Sequence, residues 1–198
     1  MTVENSIPND VLKAIPNNLP EPIDDGACDH LTGMKLPEIE LISNHGKLIS
    51  LAHIPSWVAL YIYPMTGKPG VPIPLGWADI PGAAGCTPQS CSFRDSHEQF
   101  KTMNVTVFSL SVQSTTDQKE AAERLSLPYK LLSDFELKFA SALNLPLLET
   151  GGLKLIRRIT LICLDGIIQK HFYPVFPPDK NASDVVEWLV KNAHYKPF

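Results

Sequence analysis

One short, continuously apolar run constrains this chain most, Trp57 to Tyr63 (WVALYIY), and Val105 to Ser111 (VTVFSLS) reads as the next buried strand. Apolar residues without alternation mark strands buried on both faces, and such strands sit in parallel sheets covered by helices. Between them, residues 87 to 102 can form a helix, with Phe93, His97 and Phe100 spaced to share one face. Strand, helix, strand is the start of a layered α/β domain.

The rest of the chain extends that pattern. Residues 36 to 52 (LPEIELISNHGKLISLA) alternate apolar and polar around Asn44-His45-Gly46 and read as a hairpin. Residues 116 to 125 are helical, Tyr129 to Leu132 form a brief strand, and Ser133 with Glu136 makes a capping box for a helix to about Leu143. Leu155 to Leu164 and Ile167 to Tyr173 are strand-like runs joined by Asp165-Gly166, a strong hairpin signal. Residues 182 to 195 close with an amphipathic helix. A parallel β-α-β half followed by an antiparallel ββα half predicts a mixed central β-sheet flanked by helices, a thioredoxin-like α/β arrangement.

Composition narrows the function classes. At 198 residues the chain suits one well-cored domain, and 44% apolar with 19% charged residues excludes wholesale disorder. With 17 Lys and Arg against 21 Asp and Glu, the net charge of -4 leaves no basic surplus for phosphates, so no nucleic acid partner is expected. No apolar run is long enough to span a membrane, and the N-terminus (MTVENSIPND) lacks a cationic and then apolar leader, so a soluble, cytoplasmic protein with no membrane partner is expected. Four cysteines are too few for a disulfide scaffold and read as reduced thiols.

The unusual number is 18 prolines, well above ordinary usage. They concentrate in residues 1–35, read as an N-terminal arm wrapping a domain of residues 36–198. They concentrate again in residues 64–85, a long Pro/Gly-rich insertion before the helix. Loops of that length in a compact domain are usually functional or disordered. In an open α/β sheet, ligand chemistry belongs where a buried strand hands over to its helix, here residues 64 to 91.

At that address stands Gly85-Cys86-Thr87-Pro88-Gln89-Ser90-Cys91. Pro88 suits a first helical turn, which puts Cys86 at or just before the helix N-terminus, where unpaired N–H groups and the dipole favour a thiolate. The leverage is large: a thiol lowered from about 8.5 to about 6 goes from about 3% to about 90% thiolate at pH 7. Cys91 follows five residues later. On a continuous helix the two Cα atoms would be roughly 8.7 Å apart, beyond the about 7 Å that a disulfide spans. The pair can bond only if the first turn unwinds.

Blander roles fit other residues. A structural zinc site lacks a second cysteine pair. Cys163 reads as a core thiol, and Cys28, in the arm, as an exposed thiol without a role. Arg157 should point away from Arg158 into solvent. Arg94 and Asp95 read as a helix-surface pair, His97 as a helix-face residue, Trp77 as an anchor for the inserted loop, and Phe172 to Pro178 as a Pro-stiffened connection.

The stretch GCTPQSCSFRD (residues 85 to 95) resembles the active-site helix of the peroxiredoxins, and its local Cys-x4-Cys pair resembles their bacterioferritin-comigratory, or Q-type, branch. Residues 127 to 134 (LPYKLLSD) are similar to that family's substrate-channel strand and turn, and Arg158-Ile159-Thr160 with Asp165-Gly166 to its arginine strand. The resemblance implies a thiol-dependent peroxidase acting on hydrogen peroxide or organic hydroperoxides without metal or organic cofactor. Cys86 would be the nucleophile, Cys91 the resolving thiol and Arg158 the group that holds the thiolate, with a thioredoxin or glutaredoxin-type reductant and a monomer or homodimer as the working form. The family's pattern of Pro, three residues, Thr or Ser, two residues, Cys is interrupted: Ala83 and Asp79 occupy the matching positions, and Thr66 or Thr87 would have to supply the hydroxyl. A redox sensor that oxidises without efficient turnover is the competing reading. A dithiol exchanger is a third, and the missing Cys-x2-Cys argues against it.

Overall fold

A computed structural model describes residues 19–193. The expectations for residues 1–18 of the arm and for the end of the last helix, residues 194 and 195, lie outside them. In chain order the elements are β1 (Glu40–Ser43), β2 (Leu48–Ser50), β3 (Trp57–Ile62), α1 (Cys86–Asp95), α2 (His97–Thr102), β4 (Val105–Ser111), α3 (Thr115–Leu125), β5 (Lys130–Ser133), α4 (Lys138–Ala142), β6 (Leu147–Thr150), β7 (Leu153–Ile156), β8 (Ile159–Leu164), β9 (Ile167–Phe172) and α5 (Asn181–Asn192). A seven-stranded sheet has the order β2-β1-β5-β4-β3-β8-β9, with β3, β4 and β5 mutually parallel and the other neighbours antiparallel. The thioredoxin-like mixed sheet expected from the sequence is therefore present.

Period-two alternation along β3 explains why the WVALYIY run is apolar throughout. Val58, Leu60 and Ile62 face a core that includes Leu31 of the arm, Phe139 and Ala140 of α4, and Cys28. Ala59, Tyr61 and Tyr63 face the opposite core, with Cys86, Phe93, Phe100, Val185 and Leu189 of the helices on that side. Tyr61 stacks on Phe93 with ring centroids 4.4 Å apart, and Phe93 on Phe100 at 5.6 Å, contacts worth about 0.5–1.5 kcal/mol each beyond area burial. This aromatic column fixes α1 against the sheet. Among the described residues no helix is long and apolar enough to cross a membrane.

Four local expectations are corrected. The helix expected over residues 87 to 102 is broken at Ser96, whose ψ of 2° ends α1 and starts α2; the bend still lets Phe93 and Phe100 reach one core. The Ser133–Glu136 capping box is not formed, because Ser133 lies in β5 and its hydroxyl donates to Gln113 O (2.7 Å). Asp134 caps α4 instead, accepting from the N–H groups of Phe139 (3.0 Å) and Ala140 (2.8 Å). The run from Leu155 to Leu164 is not one strand: β7 ends at Ile156, Arg157 and Arg158 form the connection, and β8 begins at Ile159. β7 pairs with β6 in a separate two-stranded ribbon turning at Gly151-Gly152, both at positive φ, a hairpin signal the apolar runs on either side obscured. Finally, Cys28 is fully buried rather than exposed, because the described part of the arm packs on the core.

Candidate active site

Cys86 is the first residue of α1, and Gly85 is its N-cap in the left-handed region (φ 96°, ψ 17°). Glycine is required there twice over: the backbone angle disfavours any L side chain, and a Cβ would be driven into the ring of Pro178. Gly85→Ala is expected to lower stability by about 2–4 kcal/mol, read as a drop in the urea midpoint at unchanged slope.

No side chain caps α1, Pro88 has no N–H, and the first intrahelical bond runs from Gln89 N–H to Gly85 O (3.1 Å). The N–H groups of Cys86 and Thr87 are thus left at the positive end of the helix beside the Cys86 sulfur.

The decisive contact comes from the β7–β8 connection. Arg158, only 3% exposed, donates from Nη2 to Cys86 Sγ at 3.2 Å. The same guanidinium donates to the carbonyls of Gly82 (3.3 Å), Ala83 (3.1 Å) and Ala84 (2.9 Å), and from Nη1 to Gln89 Oε1. Gln89 is held in turn: its Nε2 donates to Asn181 Oδ1 (2.9 Å), which also accepts from Thr160 Oγ1 (2.6 Å). Gln89 and Thr160 stand in the stretches that carry the resemblance but had no role assigned, and Asn181 stands in none of them; only packing makes the three the frame that aims the arginine.

Among the described residues no carboxylate pairs with Arg158. A buried cation surrounded by neutral carbonyls retains its field, and a buried charge is costly until it is paired. The ionisable group in contact with it is Cys86. Cys86 Sγ also donates a long, weak bond to Ala83 O (3.5 Å).

The other two buried cysteines lie in the core on the opposite face of the sheet. Burial pushes the Cys28 thiol up from an ordinary 9.0 to about 12, helped by the Asp25 and Asp24 charges, and burial alone pushes Cys163 to about 12. Both stay protonated and unreactive near neutral pH. Cys91 lies partly exposed on α1, and all four cysteines are free. Because α1 is continuous from Cys86 to Asp95, the i to i+5 spacing of the two thiols, roughly 8.7 Å between Cα atoms, holds in the folded helix.

A cavity of about 30 Å³ lies against Cys86, lined also by Met65, Trp77, Ala84 and Thr87. It admits a small oxygen-centred group. Trp77 is buried against Ala83 and Leu155, so it both anchors the insertion and walls the cavity. Thr87 is on that wall. Thr66 is buried nearby in the loop, but its hydroxyl and N–H both donate to Gln113 Oε1 (3.1 and 2.8 Å). The fold thus brings Arg158 to Cys86 and sets Thr87 beside it on the cavity wall, leaves Cys91 half-buried further along α1, and ties the Thr66 hydroxyl to a glutamine. Arg157 points outward to Asp25 (3.1 Å) and the Tyr173 hydroxyl (3.2 Å), as expected of a surface charge. Among the described residues no cluster of three or more His, Cys, Asp or Glu could hold a metal ion.

The redoxin family profile matches residues 31–189. The chain belongs to the redoxin family. This redoxin is 30% identical over 158 residues to the chloroplastic Peroxiredoxin Q of Arabidopsis thaliana, covering 79% of the present chain and 66% of that protein. It is 32% identical over 113 residues to Peroxiredoxin Bcp of Bacillus subtilis, covering 57% and 62%. It spans just under two thirds of the length of these curated relatives. Its fold superimposes on the Peroxidoxin BcpB structure from Mycobacterium tuberculosis with a TM-score of 0.66 at 22% identity, over 81% of this redoxin and 97% of that chain. On the bacterioferritin comigratory protein of Xanthomonas campestris the TM-score is 0.63 at 17% identity, over 89% and 99%. The resemblance to peroxiredoxins of the Q-type branch read from residues 85–95, 127–134 and 158–166 is borne out by these relatives.

Proposed function

We propose that this redoxin is a thiol-dependent peroxidase that reduces hydrogen peroxide or organic hydroperoxides. The observation that carries the reading is the 3.2 Å contact between Cys86 Sγ at a helix N-terminus and the buried, carboxylate-free guanidinium of Arg158. The Cys86 thiolate attacks the distal oxygen of ROOH, the S–O bond forms as the O–O bond breaks, and the leaving alkoxide takes a proton to become ROH. Arg158 bears on both ends of that displacement, holding the sulfur anion and offering positive charge where the oxygens become negative. Thr87 supplies the hydroxyl on the cavity wall, while Thr66 acts through Gln113 to hold the loop. The product is a Cys86 sulfenic acid.

Cys91 then resolves it. Its thiolate attacks Cys86 Sγ, the S–S bond forms, the S–O bond breaks, and hydroxide leaves as water once protonated. Two electrons from an external dithiol of the thioredoxin or glutaredoxin type return both cysteines to thiols. Free, buried thiols at Cys28 and Cys163 suit a reducing compartment, and a cytoplasmic location with a monomeric or homodimeric working form belongs to the same proposal.

A peroxide-consumption assay with a dithiol donor tests it. The parent chain should turn over repeatedly, whereas Cys91→Ser should consume about one equivalent of peroxide at the parent's initial rate and then recycle slowly. Parent protein that oxidises at Cys86 but does not turn over with any dithiol would replace the enzyme by a redox sensor.

A further inference from the structure

The resolving step requires α1 to open between Cys86 and Cys91, and the residues inside that interval are held from behind by the sheet. Ser90 is 1% exposed. Its hydroxyl accepts a hydrogen bond from the Tyr61 hydroxyl of β3 (3.1 Å), and its backbone carbonyl accepts one from the Tyr129 hydroxyl that precedes β5 (2.7 Å). The two phenol oxygens lie 3.0 Å apart, and the rings meet edge to face with centroids 5.8 Å apart. Burial pushes both phenols up, Tyr61 to about 12, so each remains a protonated donor across the physiological range. No other position of α1 is gripped by a side chain at both its hydroxyl and its carbonyl among the described residues.

We propose that Tyr61 and Tyr129 are positioning residues that clamp α1 at Ser90 and so set how fast the Cys86 sulfenic acid is captured by Cys91 rather than oxidised again. The proposal rests on the reading of Cys86 and Cys91 as the reacting pair. Moving the two sulfurs from helical spacing into bonding range unwinds the turn that contains Ser90. That motion must break the two phenol bonds as well as the helix's own ladder. While the clamp holds, the sulfenic acid stays beside Arg158, where a second hydroperoxide can convert it to sulfinic acid: one more S–O bond forms, the second O–O bond breaks, and ROH leaves. Opening and over-oxidation therefore compete, and the phenols bias the competition toward the closed helix without touching the reacting atoms.

Stopped-flow oxidation of the parent, Tyr61→Phe, Tyr129→Phe and Ser90→Ala proteins, followed by mass spectrometry of the cysteines, tests this. Each phenol deletion should leave the first oxidation of Cys86 within about twofold of the parent. It should speed Cys86–Cys91 bond formation about three- to tenfold, the equivalent of one lost buried hydrogen bond, and lower the sulfinic fraction at high peroxide. Ser90→Ala guards against misfolding of the aromatic variants and gives a result of opposite sign to a merely structural role. Alanine is the better helix former and by propensity alone would slow opening, whereas loss of the Tyr61 half of the clamp, with the Tyr129 bond to the backbone carbonyl kept, predicts faster resolution. Unchanged resolution rates in all three variants would overturn the clamp alone. A parent that never forms the Cys86–Cys91 bond would overturn the underlying reading and the clamp with it, and the two failures are told apart in the parent trace.

Discussion

Replacing Cys86 by serine is expected to abolish hydroperoxide turnover, with a fall of at least about 10⁴-fold toward the uncatalysed background. The reason is ionisation and not shape. Serine is close to isosteric and its hydroxyl can still donate to Ala83 O, as the thiol does at 3.5 Å. A hydroxyl is not deprotonated near neutral pH, however, even beside a guanidinium, and a neutral oxygen does not displace on an O–O bond. The fold should be retained, since the apolar contacts of α1 come from Phe93 and its stack on Tyr61 and Phe100. Circular dichroism and urea unfolding close to the parent's, together with lost peroxide consumption, is the expected pair of results. Serine protein that consumed peroxide at the parent's rate would move the chemistry away from position 86.

Arg158→Ala carries the second largest effect, and it falls on two observables at once. In the proposed mechanism the guanidinium holds the attacking sulfur and meets the developing charge on the peroxide, so the rate of first oxidation should drop about 10²–10³-fold, the usual cost of losing a preorganised donor at a reacting oxygen. It also satisfies the carbonyls of Gly82, Ala83 and Ala84 and the Gln89 side chain. Leaving those acceptors buried and unpaired should lower unfolding stability by about 3–5 kcal/mol. Arg158→Lys separates the two roles. It retains the charge, yet a single ammonium cannot reach three carbonyls, Gln89 and the sulfur together. Stability should therefore fall nearly as far as in the alanine variant while the rate is partly kept. Stopped-flow oxidation and urea titration of both variants give the comparison, and an alanine variant oxidised as fast as the parent would remove Arg158 from the mechanism.

Local pattern and tertiary packing contributed differently to what could be read in advance. The β3 and β4 strands, the helix read over residues 116 to 125 and the Asp165-Gly166 turn were legible because each is specified by residues that are neighbours in the chain: largely apolar segments for two-faced burial, and a turn that needs positive φ. Apart from the helix break at Ser96, the misread elements have a distant determinant. The Ser133 hydroxyl is claimed by Gln113, which lets Asp134 cap α4. The strand that would have run through Arg157 and Arg158 is interrupted where β7 turns to its own partner β6 and Arg158 is drawn under Gly82–Ala84. Cys28 is buried because the arm lies on the core, and nothing in DDGACDH encodes what covers it.

At the site, the amino-acid sequence by itself determined that a cysteine opens a helix after a buried strand, because Gly85, Pro88 and the WVALYIY run act through the backbone within a few residues. Tertiary structure alone decided the surroundings of that sulfur. Arg158 is 72 residues from Cys86 along the chain, its frame of Gln89, Asn181 and Thr160 is drawn from α1, α5 and β8, and the Tyr61–Tyr129 grip on Ser90 comes from two different strands' ends. Electrostatic contact and hydrogen bonding depend on distance in space, and only the closing of the sheet brings these groups within reach of one another.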